Sequence, residues 1–109
     1  MKTLILTSGL ALVLAACNQS PAEQKADGIE EQADASTDAI RQGAEAQADA
    51  IENQADAVEQ AAAPMSPAAD AQSDAMDAKA DRVREGAEAK ADAVEAGAAA
   101  RAEAIRDKQ

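Results

Sequence analysis

The chain has 109 residues and a formal net charge of −11, and it contains no aromatic residue and no histidine. Its hydrophobic content of 47% is largely alanine, whose small side chain buries little surface. Such a core cannot offset the ~1.5 kcal/mol that ordering each residue of a compact globule costs. The negative charge disfavours nucleic acid and anionic lipid surfaces as partners. Because alanine, glutamate, glutamine, lysine and arginine form helices readily, we predict an elongated helical protein.

The first segment, residues 1–16, has the features of a cleaved signal peptide. Lys2 supplies a positive charge, an apolar run extends from Leu4 to Val13, and small residues follow it. A transmembrane helix needs about 20 apolar residues, and polar residues 18–20 end this run too early. We therefore predict a signal peptide rather than a membrane-spanning helix.

The end of this segment, Leu14-Ala15-Ala16-Cys17, resembles the lipobox of bacterial lipoproteins at every position. The resemblance implies that residues 1–16 are removed and that the sulfur of Cys17 is acylated. Cys17 then becomes the lipidated N-terminus, and the protein is bound to the lipid bilayer through this covalent lipid. Because each buried methylene contributes ~0.8 kcal/mol and the family's cysteine carries more than one chain, such an anchor is effectively permanent.

Residues 17–19 thus form the predicted lipidated anchor. Cys17 is the only cysteine, so its acylation leaves no thiol for a disulfide, a nucleophile or a metal. In enteric-type bacteria an aspartate after the cysteine retains lipoproteins in the inner membrane, so Asn18 implies the outer membrane, with the protein facing the periplasm. Removal of Lys2 with the signal peptide changes the net charge from −11 to −12.

Helix-start signals and a proline-rich break divide the remaining chain into two helices. Ser20 and Glu23 flank a proline and an alanine in the pattern of a capping box. The segment 64–67 contains two prolines, which remove amide donors and end a helix. We predict helix 1 over 20–63, a turn over 64–67, and helix 2 over 68–109, with a serine at the break as its N-cap.

The large apolar residues recur at spacings of 11 and 7, each close to a whole number of helical turns. The stretch 41–52 also recurs at 84–95, which is 43 residues later. An 11-residue repeat corresponds to 3.67 residues per turn and favours straight or slightly right-handed helices. The residues of this stripe are Ile29, Ile40, Ile51, Val58, Met65, Met76, Val83, Val94 and Ile105.

Eight of these residues form four pairs whose numbers sum to 134, mirrored about the proline break. Folding the chain back at the break brings the members of each pair level, as an antiparallel α-hairpin requires. We therefore predict an all-α fold in which two long alanine-rich helices form an antiparallel hairpin; a straight rod is the alternative. Seven basic residues also fall level with acids of helix 1: Lys79, Arg82, Arg84, Lys90, Arg101, Arg106 and Lys108.

Small residues accompany the stripe and suit the close approach of two helices. Alanine lies four positions after several large residues, and glycines flank them. The pattern leaves open whether one hairpin is stable alone or whether two hairpins form a homo-oligomer, as a coiled-coil-like four-helix bundle that covers the stripe. The alanines are Ala33, Ala44, Ala55, Ala87 and Ala98, and the glycines are Gly43, Gly86 and Gly97.

No residue set in the chain is suited to catalysis, so we predict that the protein is not an enzyme and has no catalytic residues, cofactor or small-molecule substrate. Histidine is absent, the single thiol is acylated, and paired carboxylates need a cleft to shift their pKa values. Asp70, Asp74, Asp77 and Asp81 share one helix face and could hold a divalent cation loosely. We interpret them as a solvated acidic face and predict no metal site.

Two classes of function remain. In size, alanine content and lipid anchor the chain resembles the small alanine-rich murein lipoproteins of Gram-negative outer membranes, which implies a structural or interaction role in the cell envelope. The charged 11-residue repeats also resemble LEA-like stress-protective proteins. We expect a membrane-anchored helical lipoprotein, with the LEA-like function as the alternative.

Overall fold

Two long helices account for nearly all of the chain that the structure describes. The computed structural model describes residues 19–108, with α1 at Pro21–Ala61 and α2 at Pro67–Arg106. The helices pack against each other in antiparallel orientation, and the end of α2 lies beside the beginning of α1. The predicted all-α hairpin is therefore confirmed. The predicted signal peptide, its lipobox and Cys17 lie outside the described residues.

Both helices begin at a serine cap followed by proline, as the sequence predicts. The Ser20 hydroxyl accepts a hydrogen bond from the Glu23 amide at 3.2 Å, and the Ser20 amide donates to the Glu23 carboxylate at 3.0 Å. The hydroxyl of Ser66 accepts from the Ala69 amide at 3.4 Å. These bonds satisfy amides that have no partner within the helix, so they fix where each helix starts.

A short non-helical turn joins the helices between residues 62 and 66. Ala62 is extended, with ψ of 152°, and the proline at position 64 disfavours helical backbone in residue 63, so the helix does not continue into the turn. Helix α1 consequently ends at Ala61, two residues before the predicted end. Met65 has φ of 65° and is 96% exposed, so this large side chain of the stripe lies at the tip and packs on nothing.

Alanine forms the contact line between the helices. Fully buried alanines recur every 11 residues on α2, and on α1 the buried Thr37 occupies the middle position of the same row. The alanines predicted to lie beside the stripe are buried as well. Because alanine carries a single methyl group, the two backbones can approach closely along this line. The fully buried alanines are Ala26, Ala48, Ala80, Ala91 and Ala102.

The large apolar residues lie beside this contact line rather than on it, so the helices do not approach most closely at the stripe. Of the large stripe residues only Ile51 is buried, at 8% exposure, where it packs with Ala48 and Ala80. The others on the helices are half-buried. Each lies three residues after a buried position of the contact line. Three residues turn a helix by about 300°, so such a side chain points some 60° away from the partner helix.

The glycines are not required for the packing of these two helices, so that part of the prediction is wrong. A Cβ atom added at Gly43, Gly86 or Gly97 would meet no other atom within 4 Å. The buried residues of the contact line, which are mainly alanines, therefore set the helix separation.

Candidate functional site: the two faces of the hairpin

The hairpin has two chemically different faces because each helix places different residues on either side of its contact line. In α1 the buried Thr37 is followed at +3 by Ile40 and at +4 by Arg41. In α2 the buried Ala80 is followed at +3 by Val83 and at +4 by an arginine. Positions +3 and +4 fall on opposite sides of a helix line, and antiparallel packing brings equivalent sides of both helices together.

One side, which we name the acidic face, is built around two arginines in equivalent positions. Arg84 of α2 donates from Nη1 to Glu52 at 2.6 Å and from Nε to Glu45 at 3.1 Å. Arg41 of α1 donates from Nε to Glu88 at 3.1 Å. Its Nη1 lies 3.5 Å from Glu95, which is two helical turns after Glu88. Each arginine therefore contacts two glutamates of the other helix at once, an arrangement that we name an arginine fork.

The acidic face continues to both ends of the hairpin. Arg106 lies 3.1 Å from Asp27 and 3.0 Å from Glu30, and these pairs join the last turn of α2 to the first turns of α1. Near the tip, the buried hydroxyl of Ser73 donates to Glu59 at 2.7 Å. Polar contacts thus hold the helices in register along their whole length.

The arginines shift the pKa values of their partners. The hydrogen bond from Arg84 holds the pKa of Glu52 below its ordinary value, and the charge attraction between them adds to this effect. Arg106 lowers the pKa of Glu30 in the same way. Reciprocally, the hydrogen bond to Glu52 raises the pKa of Arg84. Both glutamates are therefore held in their charged form at neutral pH, unlike the protonated carboxyl that a general acid requires.

The opposite side, which we name the basic–apolar face, carries two open grooves between the helices. Each groove is bordered by one large apolar residue from each helix, and neither is lined by any carboxylate. The first is lined by Ile29, Gln32, Ala33, Ser36, Ala93, Val94, Gly97, Ala98 and Arg101, and the second by Ala39, Ile40, Gly43, Ala44, Gln47, Arg82, Val83, Gly86, Ala87 and Lys90.

Four of the seven bases that the sequence places level with acids of helix 1 lie on this face. Arg82, Lys90 and Arg101 lie at the grooves, and Lys79 belongs to the same row because 79, 90 and 101 are 11 residues apart. Within residues 19–108 none of these four forms an ion pair; the paired bases are three arginines of the acidic face. The register places them level with acids of α1, as predicted, but the acids project from the other face.

The described residues contain no cluster typical of a metal centre. Within 19–108 no three Asp, Glu, His or Cys side chains converge closely enough to hold a metal ion. No helix in this part of the chain is both long enough and apolar enough to cross a bilayer. The predicted lipidation residue Cys17 and its lipobox residues Leu14, Ala15 and Ala16 lie before the described segment.

Sequence reasoning missed the reciprocal arginine forks, although the repeat contains them. Arg41 and Arg84 are 43 residues apart, and so are Glu45 and Glu88. Folding an internal repeat back on itself makes each copy's arginine available to the other copy's carboxylates.

The fold and its two faces define an elongated α-hairpin of the alanine-packed type. Comparison of the chain with protein-family models, curated proteins and solved structures found no match.

Proposed function

We propose that this protein is a lipid-anchored helical hairpin of the bacterial cell envelope, with a structural or interaction role and without catalysis. The lipobox at Leu14 to Cys17 supports the anchor, and Asn18 supports an outer-membrane location facing the periplasm. The alanine-packed hairpin, whose helices are joined by arginine–carboxylate ion pairs, supports the structural role.

The observation that carries this proposal is the hairpin itself, together with the short stretch of sequence between Cys17 and its first helix. The capping box at Ser20 begins α1 within three residues of Cys17, so a rigid helix starts almost at the lipid. Arg106 pairs with Asp27, so the last turn of α2 lies beside the first turns of α1, and a lipid on Cys17 would hold both near the membrane. With 40 residues in α2 at 1.5 Å each, the Met65 tip lies about 60 Å away. An element of this kind is suited to occupying a defined length beside a membrane.

The packed helices favour this role over the LEA-like alternative. A stress-protective repeat protein is expected to remain unfolded in dilute buffer and become helical on drying, because it has too little core to fold alone. The alanine contact line and the arginine forks are interactions between the helices that support a folded hairpin in dilute buffer. Circular dichroism of the protein without its lipid, in dilute buffer and after drying, separates the two: helix only after drying would contradict the structural role.

Metabolic labelling with an alkyne fatty acid tests the anchor. The wild-type protein should be labelled and should fractionate with the outer membrane, whereas Cys17→Ala should remain unlabelled and uncleaved. Ala16→Gly is the matched control, since the lipobox accepts glycine or alanine there, and it should behave like the wild type. Labelling that persists in Cys17→Ala, or that is absent from the wild type, would contradict the proposal.

A further inference from the structure

The two faces of the hairpin separate the paired carboxylates from the bases at the grooves, which form no ion pair within the described residues. Asp27 and Asp49 pair with arginines on the acidic face, and Asp38 lies midway in the same 11-residue row. The grooves of the opposite face, by contrast, are lined by cations and no carboxylate. The net charge of −11 is the sum of two unlike faces. The acidic face is strongly negative, whereas the basic–apolar face is positive.

The basic–apolar face combines long cations with exposed hydrocarbon. Lys79, Lys90 and Arg101 form one exposed row on α2, beside the half-buried Val83 and Val94. On α1, Lys25 precedes the two groove residues 36 and 47 at the same 11-residue spacing. Lysine and arginine can lay their methylene stems along apolar surface while their charged ends reach anions. Apolar residues with flanking cations are typical of helices that lie on a membrane surface.

From this separation we propose that the basic–apolar face binds the surface of an anionic phospholipid bilayer, so that the hairpin lies flat on the membrane that anchors it. The proposal rests on the lipid anchor for its proximity to a bilayer, while the affinity comes from the face itself. The isoleucine and valine side chains enter the boundary between head groups and acyl chains. The lysine and arginine side chains contact lipid phosphates.

The acids do not prevent this contact because they lie on the far side of the helices. A helix is about 10 Å in diameter, whereas charge interactions in physiological salt decay over about 8 Å. Carboxylates paired with Arg41 and Arg84 are therefore screened from the lipid, and the near cations dominate.

A second copy of the chain fits this face less well. Two hairpins stacked by their basic–apolar faces would enclose two rows of the cations at 79, 90 and 101, and the grooves offer no carboxylate to pair with them. Burying unpaired charges is costly, whereas lipid phosphates neutralise them. Charge complementarity thus favours the bilayer over a second copy that stacks by the same face.

Two exposed glutamines of α1 give a matched pair of reporter positions. Gln47 lines a groove of the basic–apolar face, whereas Gln42 follows Arg41 on the acidic side. The protein purified from membranes, carrying Gln47→Cys or Gln42→Cys with an environment-sensitive fluorophore, is reconstituted in phosphatidylcholine vesicles with or without phosphatidylglycerol. We expect position 47 to be shielded from acrylamide in the anionic vesicles and position 42 to be quenched in both.

Removing the cations should abolish the shielding. Each basic residue near an anionic surface contributes about 1 kcal/mol, so Lys79→Gln, Lys90→Gln and Arg101→Gln together should lower the ratio of shielded to exposed protein roughly 100-fold. The control variant carries Gln42→Glu, Asn53→Glu and Ala99→Glu, which change the net charge equally but on the acidic side. It should keep position 47 shielded, with helicity checked by circular dichroism in both variants.

Several outcomes would overturn the inference. Equal quenching at positions 47 and 42 in anionic vesicles would do so, as would shielding that survives the triple glutamine change. Shielding in pure phosphatidylcholine that rises with protein density would assign the face to a second copy of the chain. Protein that floats only with anionic vesicles, with position 47 shielded, would support this inference while contradicting the lipid anchor of the proposed function.

Discussion

Arg41 and Arg84 occupy equivalent positions on opposite helices, and each donates to carboxylates of the helix that carries the other. Arg84 reaches Glu45 at 3.1 Å, and Arg41 reaches Glu88 at the same distance. Adding 43 to the numbers of the α1 residues gives the corresponding α2 residues, so one half of the hairpin repeats the interactions of the other. The arginines and glutamates of the internal repeat therefore also form the ion pairs that join the two helices.

Replacing Arg84 with lysine should lower the thermal midpoint of unfolding. A guanidinium can donate to Glu45 and Glu52 at once, whereas an ammonium cannot reproduce the planar fork. Arg82→Lys is the matched control, because Arg82 is exposed and lies on the other face. Thermal unfolding followed by circular dichroism at low and high salt checks this; equal midpoints for the two variants would show that the fork does not stabilise the hairpin.

The contribution of Glu52 to stability should disappear at acid pH. Arg84 lowers the pKa of Glu52 from an ordinary value of 4.5, so ionised Glu52 favours the folded state. This stabilisation is fully present above the unfolded pKa and is lost as the pH falls through the lower pKa of the folded state. The gap in thermal midpoint between the wild type and Glu52→Gln should thus be constant near neutral pH and close below 4.5.

Glu31→Gln is the control for this pH series, since Glu31 is exposed and forms no ion pair within the described residues. It should show no such closing gap. A Glu52→Gln gap that widens as the pH falls would contradict the predicted sign.

Replacing Thr37 with alanine should stabilise the hairpin. Thr37 is 1% exposed on the contact line, and its hydroxyl has no hydrogen-bond partner in the described part of the chain. An unsatisfied buried hydroxyl costs ~1–3 kcal/mol and alanine is the better helix former, whereas the lost methyl contributes ~0.8 kcal/mol. We expect a net gain of about 1 kcal/mol in the free energy of unfolding, measured by urea denaturation.

Thr37→Ser keeps the hydroxyl and removes the methyl, so it should not be more stable than the wild type. If Thr37→Ser gained as much stability as Thr37→Ala, the unpaired hydroxyl would not be the cause.

Alanine at Gly86 should also stabilise the isolated hairpin. An added Cβ there meets no atom within 4 Å, and the residue has ordinary helical backbone. Glycine inside a helix costs ~0.5–1 kcal/mol relative to alanine, so Gly86→Ala should raise the free energy of unfolding by about that amount. Ala89→Gly, at an exposed position of the same helix, should lower it by a similar amount in the same urea titration. A destabilised Gly86→Ala would indicate a close contact that the structure does not contain.

The sequence by itself determined the two helices, their starting caps and the register between them. Serine followed by proline at Ser20 and Ser66 places both helix starts, because local hydrogen bonds decide where a helix begins. The register follows from the repeat: predicted pairs sum to 134, and the arginine–glutamate contacts of the structure have sums of 129 and 136.

Only the tertiary structure decided how each helix is rotated toward its partner. Spacing alone indicates that Ile40, Arg41 and Ala44 recur regularly, but not which of them faces the other helix. Two backbones can approach closely where side chains are small, and alanines rather than the large apolar residues form most of the contact line. That rotation moved the large apolar residues to one side and the arginine forks to the other, which created the two faces.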